Sequence, residues 1–268
     1  MNEMSKKSAR PEPAEASKAR GITVAMRHGR GRAGGSTFLD LLVQIGRAEG
    51  RPVLVADGDR RNPTLAGLYP PGSDGGATQP PTDETPDVKQ WLTNSIEEAL
   101  SLQSSIVIDL GGGDRVMQEY GHDLALVEFC EALGAHPLGL FFAGPELDDF
   151  EHVLAIWRAG YFRPRRSVLI FNEYLVPQGR TPHGAFNRIM SQPGYAEMTD
   201  AGVRPIFLPR LPCMEEVREA GLSFIDAAAG RVGPSGKPLG PLRQFMVRQW
   251  IDKIRGEFER IKAAEWLP

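Results

Sequence analysis

The residues whose types and spacing point most directly to chemistry lie at 28–37, HGRGRAGGST, in a chain of 268 residues. Glycines let the backbone curl so that successive amide N–H groups face one anion, and a helix start beyond them adds a favourable dipole. Two phosphate-binding fingerprints fit these residues. Gly29-x-Gly31-x-x-Gly34 has dinucleotide-binding spacing, with Asp57 or Asp59 near the end of the next strand for a ribose contact and Arg60 and Arg61 suited to a 2′-phosphate. Gly29-x4-Gly34-x-Ser36 has the spacing of a P-loop, in which Ser36 or Thr37 would meet a magnesium ion.

The P-loop reading draws in more of the chain. Asp109 ends an apolar run, IVIDL, where a carboxylate would hold a magnesium-bound water, and Gly111, Gly112 and Gly113 follow it. Asp57-x-Asp59 supplies a second carboxylate that would orient an attacking water. Ser36, Asp57 and Asp109 are the candidate metal ligands. The position of the P-loop lysine, 35, is Gly35. That lysine normally reaches the β- and γ-phosphates, so its absence argues for weak or absent ATP hydrolysis. Arg30 and Arg32 in the same loop offer replacement charge, since a guanidinium binds phosphate as a fork. A lysine restored at 35 is expected to raise ATP affinity or turnover if the rest of the site is intact.

The elements that must position these groups read as alternating strands and helices. Apolar runs predict strands at 21–27, 52–57, 104–110, 137–143, 167–172 and 203–208. Helical spacing predicts helices at 38–50 and 87–102, and an amphipathic segment runs to about 133. The order implies an α/β fold: a doubly wound, mostly parallel sheet with helices on both faces. Residues 1–20 carry no large apolar residue beyond Met1 and Met4 and read as a disordered tail ahead of a domain over 21–240. Residues 70–86 are nearly all turn formers and polar groups and read as a flexible surface insertion. Over 241–268, Val247, Ile251, Ile254, Phe258 and Ile261 share one face of a helix, packed on the domain or at a partner.

Composition narrows the classes further. With 41% hydrophobic and 24% charged residues the chain reads as an ordinary soluble globular protein. A net charge of −3 argues against a wholesale basic nucleic-acid binder, leaving Arg158, Arg163, Arg165 and Arg166 as a local patch for DNA. Cys130 and Cys213 make neither a disulfide scaffold nor a zinc pair, and a cytoplasmic protein is expected. No apolar run approaches the ~18 residues of a membrane span, so stable membrane insertion is not expected. His28, beside the loop, could touch phosphate but reads as a solvated loop residue, and His122, His136, His152 and His183 show no metal-ligand spacing. Glu146, Asp148, Asp149 and Glu151 read as charge complementing a helix start.

Taken in order, these segments resemble the ParA/MinD-type ATPases. ITVAMRHGRGRAGGST resembles that family's deviant Walker A loop, with Arg30 where the signature lysine stands. VLVADGDRRNPTL resembles its switch I segment, where Asp59 would match the aspartate implicated in hydrolysis, and IVIDLGGG resembles its Walker B and switch II. FNEYLV places Asn172 at a base-contacting position, and LPRLPCMEEVREAG places Pro209, Arg210 and Leu211 beside the adenine. The NPTL and DLGGGDR runs resemble plasmid-borne members of conjugal transfer and maintenance, of the TraL, MobD and StbB sort. The resemblance implies ATP or ADP with magnesium, cradled by Gly29, Arg30, Gly31, Arg32, Ala33, Gly34, Gly35, Ser36 and Thr37. It also implies a nucleotide-dependent homodimer and a DNA or DNA-transfer partner.

Overall fold

The computed structural model describes residues 21–111 and 115–268. The expected tail at 1–20, and Gly112 and Gly113, lie outside the described residues. The chain opens with β1 (Thr23–His28), α1 (Gly35–Ala48), β2 (Val53–Asp57), α2 (Thr64–Leu68), β3 (Ala77–Thr78), α3 (Thr85–Ser101) and β4 (Ser105–Asp109). It continues through α4 (Arg115–Leu124), α5 (Leu126–Ala132), β5 (His136–Ala143), α6 (Leu147–Ala159), β6 (Arg166–Asn172), α7 (Pro182–Met190) and α8 (Pro193–Asp200). It closes with β7 (Arg204–Leu208), α9 (Met214–Glu219), α10 (Phe224–Ala229) and α11 (Pro241–Arg260).

The seven strands form one sheet in the order β3-β2-β4-β1-β5-β6-β7, and every pairing is parallel. Parallel strands are covered on both faces, which is why they read as unbroken apolar runs. Along β1 the faces alternate. Ala25 joins Val107, Leu140 and Ile170 against Phe38, Leu42 and Ile45 of α1 and Val247, Ile251 and Phe258 of α11. Val24 and Met26 face the other way, onto Val88, Leu92 and Ile96 of α3. On that same second side, Phe141 and Phe171 pack with Phe150 and Trp157 of α6 and Phe186 of α7. This is the doubly wound α/β architecture, with helices on both faces.

Two features of this topology position the site. The chain runs from β1 toward one edge of the sheet and returns to its other side, so β1 ends at the switch point where open α/β sheets bind ligands. β4 also lies between β1 and β2, bringing Asp109 into register with Arg27 on one side and Asp57 on the other. The usual dinucleotide-binding order places β1 directly beside β2. This sheet departs from that order.

Two segments differ from the sequence reading. The first helix starts at Gly35 rather than 38, so Gly35, Ser36 and Thr37 form its first turn. Residues 70–86 contribute β3, which pairs with Val55 and Ala56 at the sheet edge, and the start of α3. At the C-terminus, α11 buries Val247, Ile251, Ile254 and Phe258 against α1 and the sheet, and Ile261 is partly buried there. Among the described residues no helix is long and apolar enough to cross a membrane.

Candidate functional site

A cleft of about 1210 Å³ opens at the C-terminal end of the sheet, bounded by the glycine loop and α1 on one side and by 208–212 and α9–α10 on the other. The loop is held in shape by backbone and side-chain contacts. Gly34 adopts φ 87°, a left-handed conformation, and caps α1 by accepting the Phe38 amide at 3.1 Å. A Cβ at Gly34 would strike Asn172 Nδ2. That same nitrogen donates to Ala33 O at 2.8 Å, while Asn172 Oδ1 accepts from the Tyr174 amide at 3.0 Å. Asn172 is therefore a strut between β6 and the loop. α1 begins with neither a capping side chain nor an acidic residue, leaving its first N–H groups and positive dipole end for an anion.

Ser36 and Asp109, 73 positions apart in sequence, meet here: the Ser36 hydroxyl donates to Asp109 Oδ2 at 2.5 Å. Asp109 Oδ1 accepts from the Gly111 amide at 2.9 Å and lies 3.4 Å from Arg27 Nη1. Thr37 Oγ1 accepts from Arg218 Nη2 at 3.1 Å, which adds a cation from α9. Of the loop arginines, Arg32 lines the cleft at φ 65°. Arg30 turns away, to 3.5 Å from Asp149 Oδ1, and lines a smaller cleft of about 490 Å³ with Glu146, Asp148 and Glu151 at the start of α6. Gly29 is buried and Gly31 is exposed at the turn.

Asp57 and Asp59 are tied to backbone. Asp57 accepts from the amides of Ala66 at 2.8 Å and Asp59 at 3.1 Å, so both its oxygens order the segment after β2. Asp59 Oδ1 accepts from the Asn62 amide at 3.0 Å, and its carboxylate lies beside Gly111. Burial pushes the Asp57 carboxyl from 3.8 up to about 6, with the Asp109 charge adding to the rise and the Ala66 and Asp59 amides opposing it. Its folded-state pKa exceeds its unfolded one, so the folded form holds the extra proton between these values. Stability from this group is fully present below about pH 4 and falls as pH rises toward 6. Thermal midpoints of the protein and of Asp57→Asn, followed from pH 4 to 7, are expected to diverge over that window. Parallel curves would remove Asp57 as the source.

The remaining candidates fall on the cleft or well away from it. Pro209, Arg210 and Leu211 border the cleft; the Pro209 carbonyl accepts from Trp250 Nε1 at 2.7 Å, and Arg210 lies over the Tyr174 ring. Arg60 and Arg61 both turn to Asp83, at 3.8 and 3.6 Å. His28 is not a solvated loop residue: it ends β1, is fully buried, and stacks on Phe141 beside Phe162. In the basic patch, Arg158 pairs with Glu197 and Arg163 lies over the Trp157 ring. Burial pushes the Cys130 thiol up to about 12, which suits a core residue. Among the described residues no cluster of His, Cys, Asp or Glu could hold a metal by itself.

Neither Arg218 nor Arg27, both at the cleft, stands among the residues the sequence singles out. Arg27 is 3% exposed, and its terminal nitrogens donate to Gly111 O and, at 3.0 Å, to Arg30 O. The available signal was an arginine inside an otherwise apolar strand, TVAMRH, since a buried charge must be paired. It also bears on Gly35. A Cβ there would collide with Arg27 Nε and lie 2.8 Å from its Cγ. A lysine placed at 35 alone therefore competes with Arg27 for space, and the gain expected of that substitution does not follow.

No family model matches the chain, and no curated protein matches it. Solved structures do. The MinC:MinD cell division protein complex of Aquifex aeolicus aligns at 12% identity and a TM-score of 0.49, over 88% of this chain and 96% of that one. The cell division protein FtsY of Thermotoga maritima aligns at 16% identity and 0.47, over 87% and 69%. FlhF complexed with GMPPNP and Mg(2+) aligns at 12% identity and 0.41, over 88% and 76%. Likeness at this level concerns the arrangement of strands and helices.

Proposed function

We propose that the chain is a nucleotide-binding switch protein of the ParA/MinD type, with a degenerate P-loop, that binds ATP or ADP with magnesium. We place it in plasmid conjugal transfer or DNA segregation. The observation that carries the reading is the contact of Ser36 with Asp109 at the mouth of the glycine loop. A hydroxyl on the first helical turn, bonded to a carboxylate at the end of the neighbouring strand, is the donor set a phosphate-bound magnesium needs. The loop backs directly onto Asn172 at Gly34 and onto Arg27 at Gly35, where a side chain has no room, and the uncapped start of α1 suits a phosphate group.

Magnesium, when bound, supplies charge that offsets the phosphate oxygens. Ser36 and Asp109 would hold it, with Asp57 ordering the segment behind them. The loop amides and Arg32 would bind the phosphates, and Asp59 would orient water. Pro209 to Leu211 would border the base. Arg30, exposed and turned to Asp149, would act across a homodimer rather than in its own cleft. Nucleotide state would then set dimerisation through the segments that meet the γ-phosphate, and a DNA or DNA-transfer protein would read the dimer.

Calorimetric titration with ATP and ADP in magnesium, and with NADPH, tests the reading. Micromolar, magnesium-dependent binding of an adenine nucleotide is expected; NADPH binding alone would sink it. Ser36→Ala is expected to weaken magnesium-dependent binding about 10- to 100-fold, the scale seen when a group around a metal site is lost. Gly35 favours a non-hydrolysing version of the same protein, which phosphate-release measurements would separate from a slow ATPase.

A further inference from the structure

We propose that Arg27, rising from β1 beneath the loop, supplies the phosphate-binding charge that a P-loop takes from lysine, and that Gly35 is glycine because Arg27 fills the lysine's space. This rests on the loop being a nucleotide-phosphate site.

Strand alternation is the starting point. Ala25 and its neighbours on one face of β1 pack against α1, and Arg27 falls on that same face, two residues later. Its side chain therefore emerges under the first turn of α1, where it lines the cleft with Gly34, Gly35 and Ser36. Arg27 is 3% exposed, so its charge acts where water screens little.

The guanidinium is held but not saturated. Nη1 donates to Gly111 O and Nη2 to Arg30 O, which fixes the plane of the group. Nη1 stands 3.4 Å from Asp109 Oδ1, longer than the 2.7–2.9 Å of a full charge-assisted bond. Nε, buried, has no hydrogen-bond partner among the described residues. Buried donors left without an acceptor are rare and point to a missing group. This donor faces Gly35, where a Cβ would collide with it. An arginine serving only as the counter-charge of Asp109 would need neither the open Nε nor the missing side chain at 35. Nε is sealed beneath Gly35, so a phosphate seated in the cradle would meet the positive charge first and would take an N–H as the guanidinium shifts outward.

The geometry makes positions 27 and 35 exchangeable: one cation, delivered from the strand or from the helix. The test is calorimetric titration of the full chain with ATP and with inorganic tripolyphosphate, with magnesium and with EDTA. Wild type is expected to bind both ligands. Arg27→Gln is expected to weaken both about 10- to 100-fold, the scale of a lost charged hydrogen bond, with Arg27→Lys between the two. Gly35→Lys alone is expected to gain nothing, while the double variant R27A/G35K recovers most of the wild-type affinity. A merely structural Arg27 would not be rescued by a lysine eight residues away.

Wild-type affinity in a folded Arg27→Gln protein would overturn the exchange and leave the nucleotide reading standing. Wild type binding neither ligand would overturn both. Where thermal melts show that Arg27→Gln does not fold, the comparison of folded R27A/G35K with wild type decides. A double variant about tenfold or more weaker than wild type would overturn the exchange.

Discussion

Asp109→Ala is expected to lower the free energy of unfolding by about 3–5 kcal/mol, the usual cost of removing one partner of a buried ion pair. The Asp109 and Arg27 side chains are each 3% exposed. Without the carboxylate, the Arg27 charge stays buried with only two backbone carbonyls for company, and the Ser36 hydroxyl and Gly111 amide lose their acceptor. Urea unfolding measures the loss, with an unchanged slope showing that the denatured state is the same. The thermal midpoint should fall by roughly 10 °C, at ~2–4 °C per kcal/mol for a domain near this size. Replacing both residues with apolar ones should restore much of the stability, because desolvating two charges offsets most of their attraction. That double variant should still fail to bind nucleotide with magnesium. A single-variant loss under about 1 kcal/mol would mean that water reaches the pair.

Phe258→Ala carries a comparable cost. Phe258 on α11 is fully buried and stacks on Phe38 of α1, with ring centroids 6.2 Å apart. Truncating a core phenylalanine costs about 3–5 kcal/mol through lost burial and the cavity left behind. The same helix carries Trp250, whose indole holds the Pro209 carbonyl at the cleft border, so loosening α11 should also weaken ligand binding. Phe245, on the same helix but 49% exposed, is the control: Phe245→Ala should change stability by no more than about 0.5 kcal/mol. Equal, small effects at both positions would place the apolar face of α11 against a partner instead of against this domain.

The strands and the glycine loop were legible because each leaves a local mark. A parallel strand covered on both sides is a run of apolar residues wherever it lies, and six such runs became β1, β2, β4, β5, β6 and β7. β3 left none. Two residues, Ala77 and Thr78, are a strand only because β2 offers its edge. The start of α1 was misplaced for a related reason. Gly35 and Ser36 have poor helix propensity, and packing of Phe38 and Leu42 on the sheet overrides it.

The site divides in the same way. The residue types at Gly29 to Thr37, Asp57, Asp59, Asp109 and Asn172, and their places at strand ends, stand in the sequence. Their partners do not. A side chain at a strand end has several directions open to it, and the neighbour across the sheet decides which one it takes. Arg30 and Arg32 are two residues apart in one loop, yet Arg30 goes to Asp149 of α6 and Arg32 to the cleft. The run of residue types alone pointed to a doubly wound sheet and to a glycine-rich loop between its first strand and first helix. Long-range packing set β4 beside β1, joined Ser36 to Asp109, and packed Arg27 beneath Gly35. Those contacts link residues from 8 to 82 positions apart, and long-range packing is what brings such residues together.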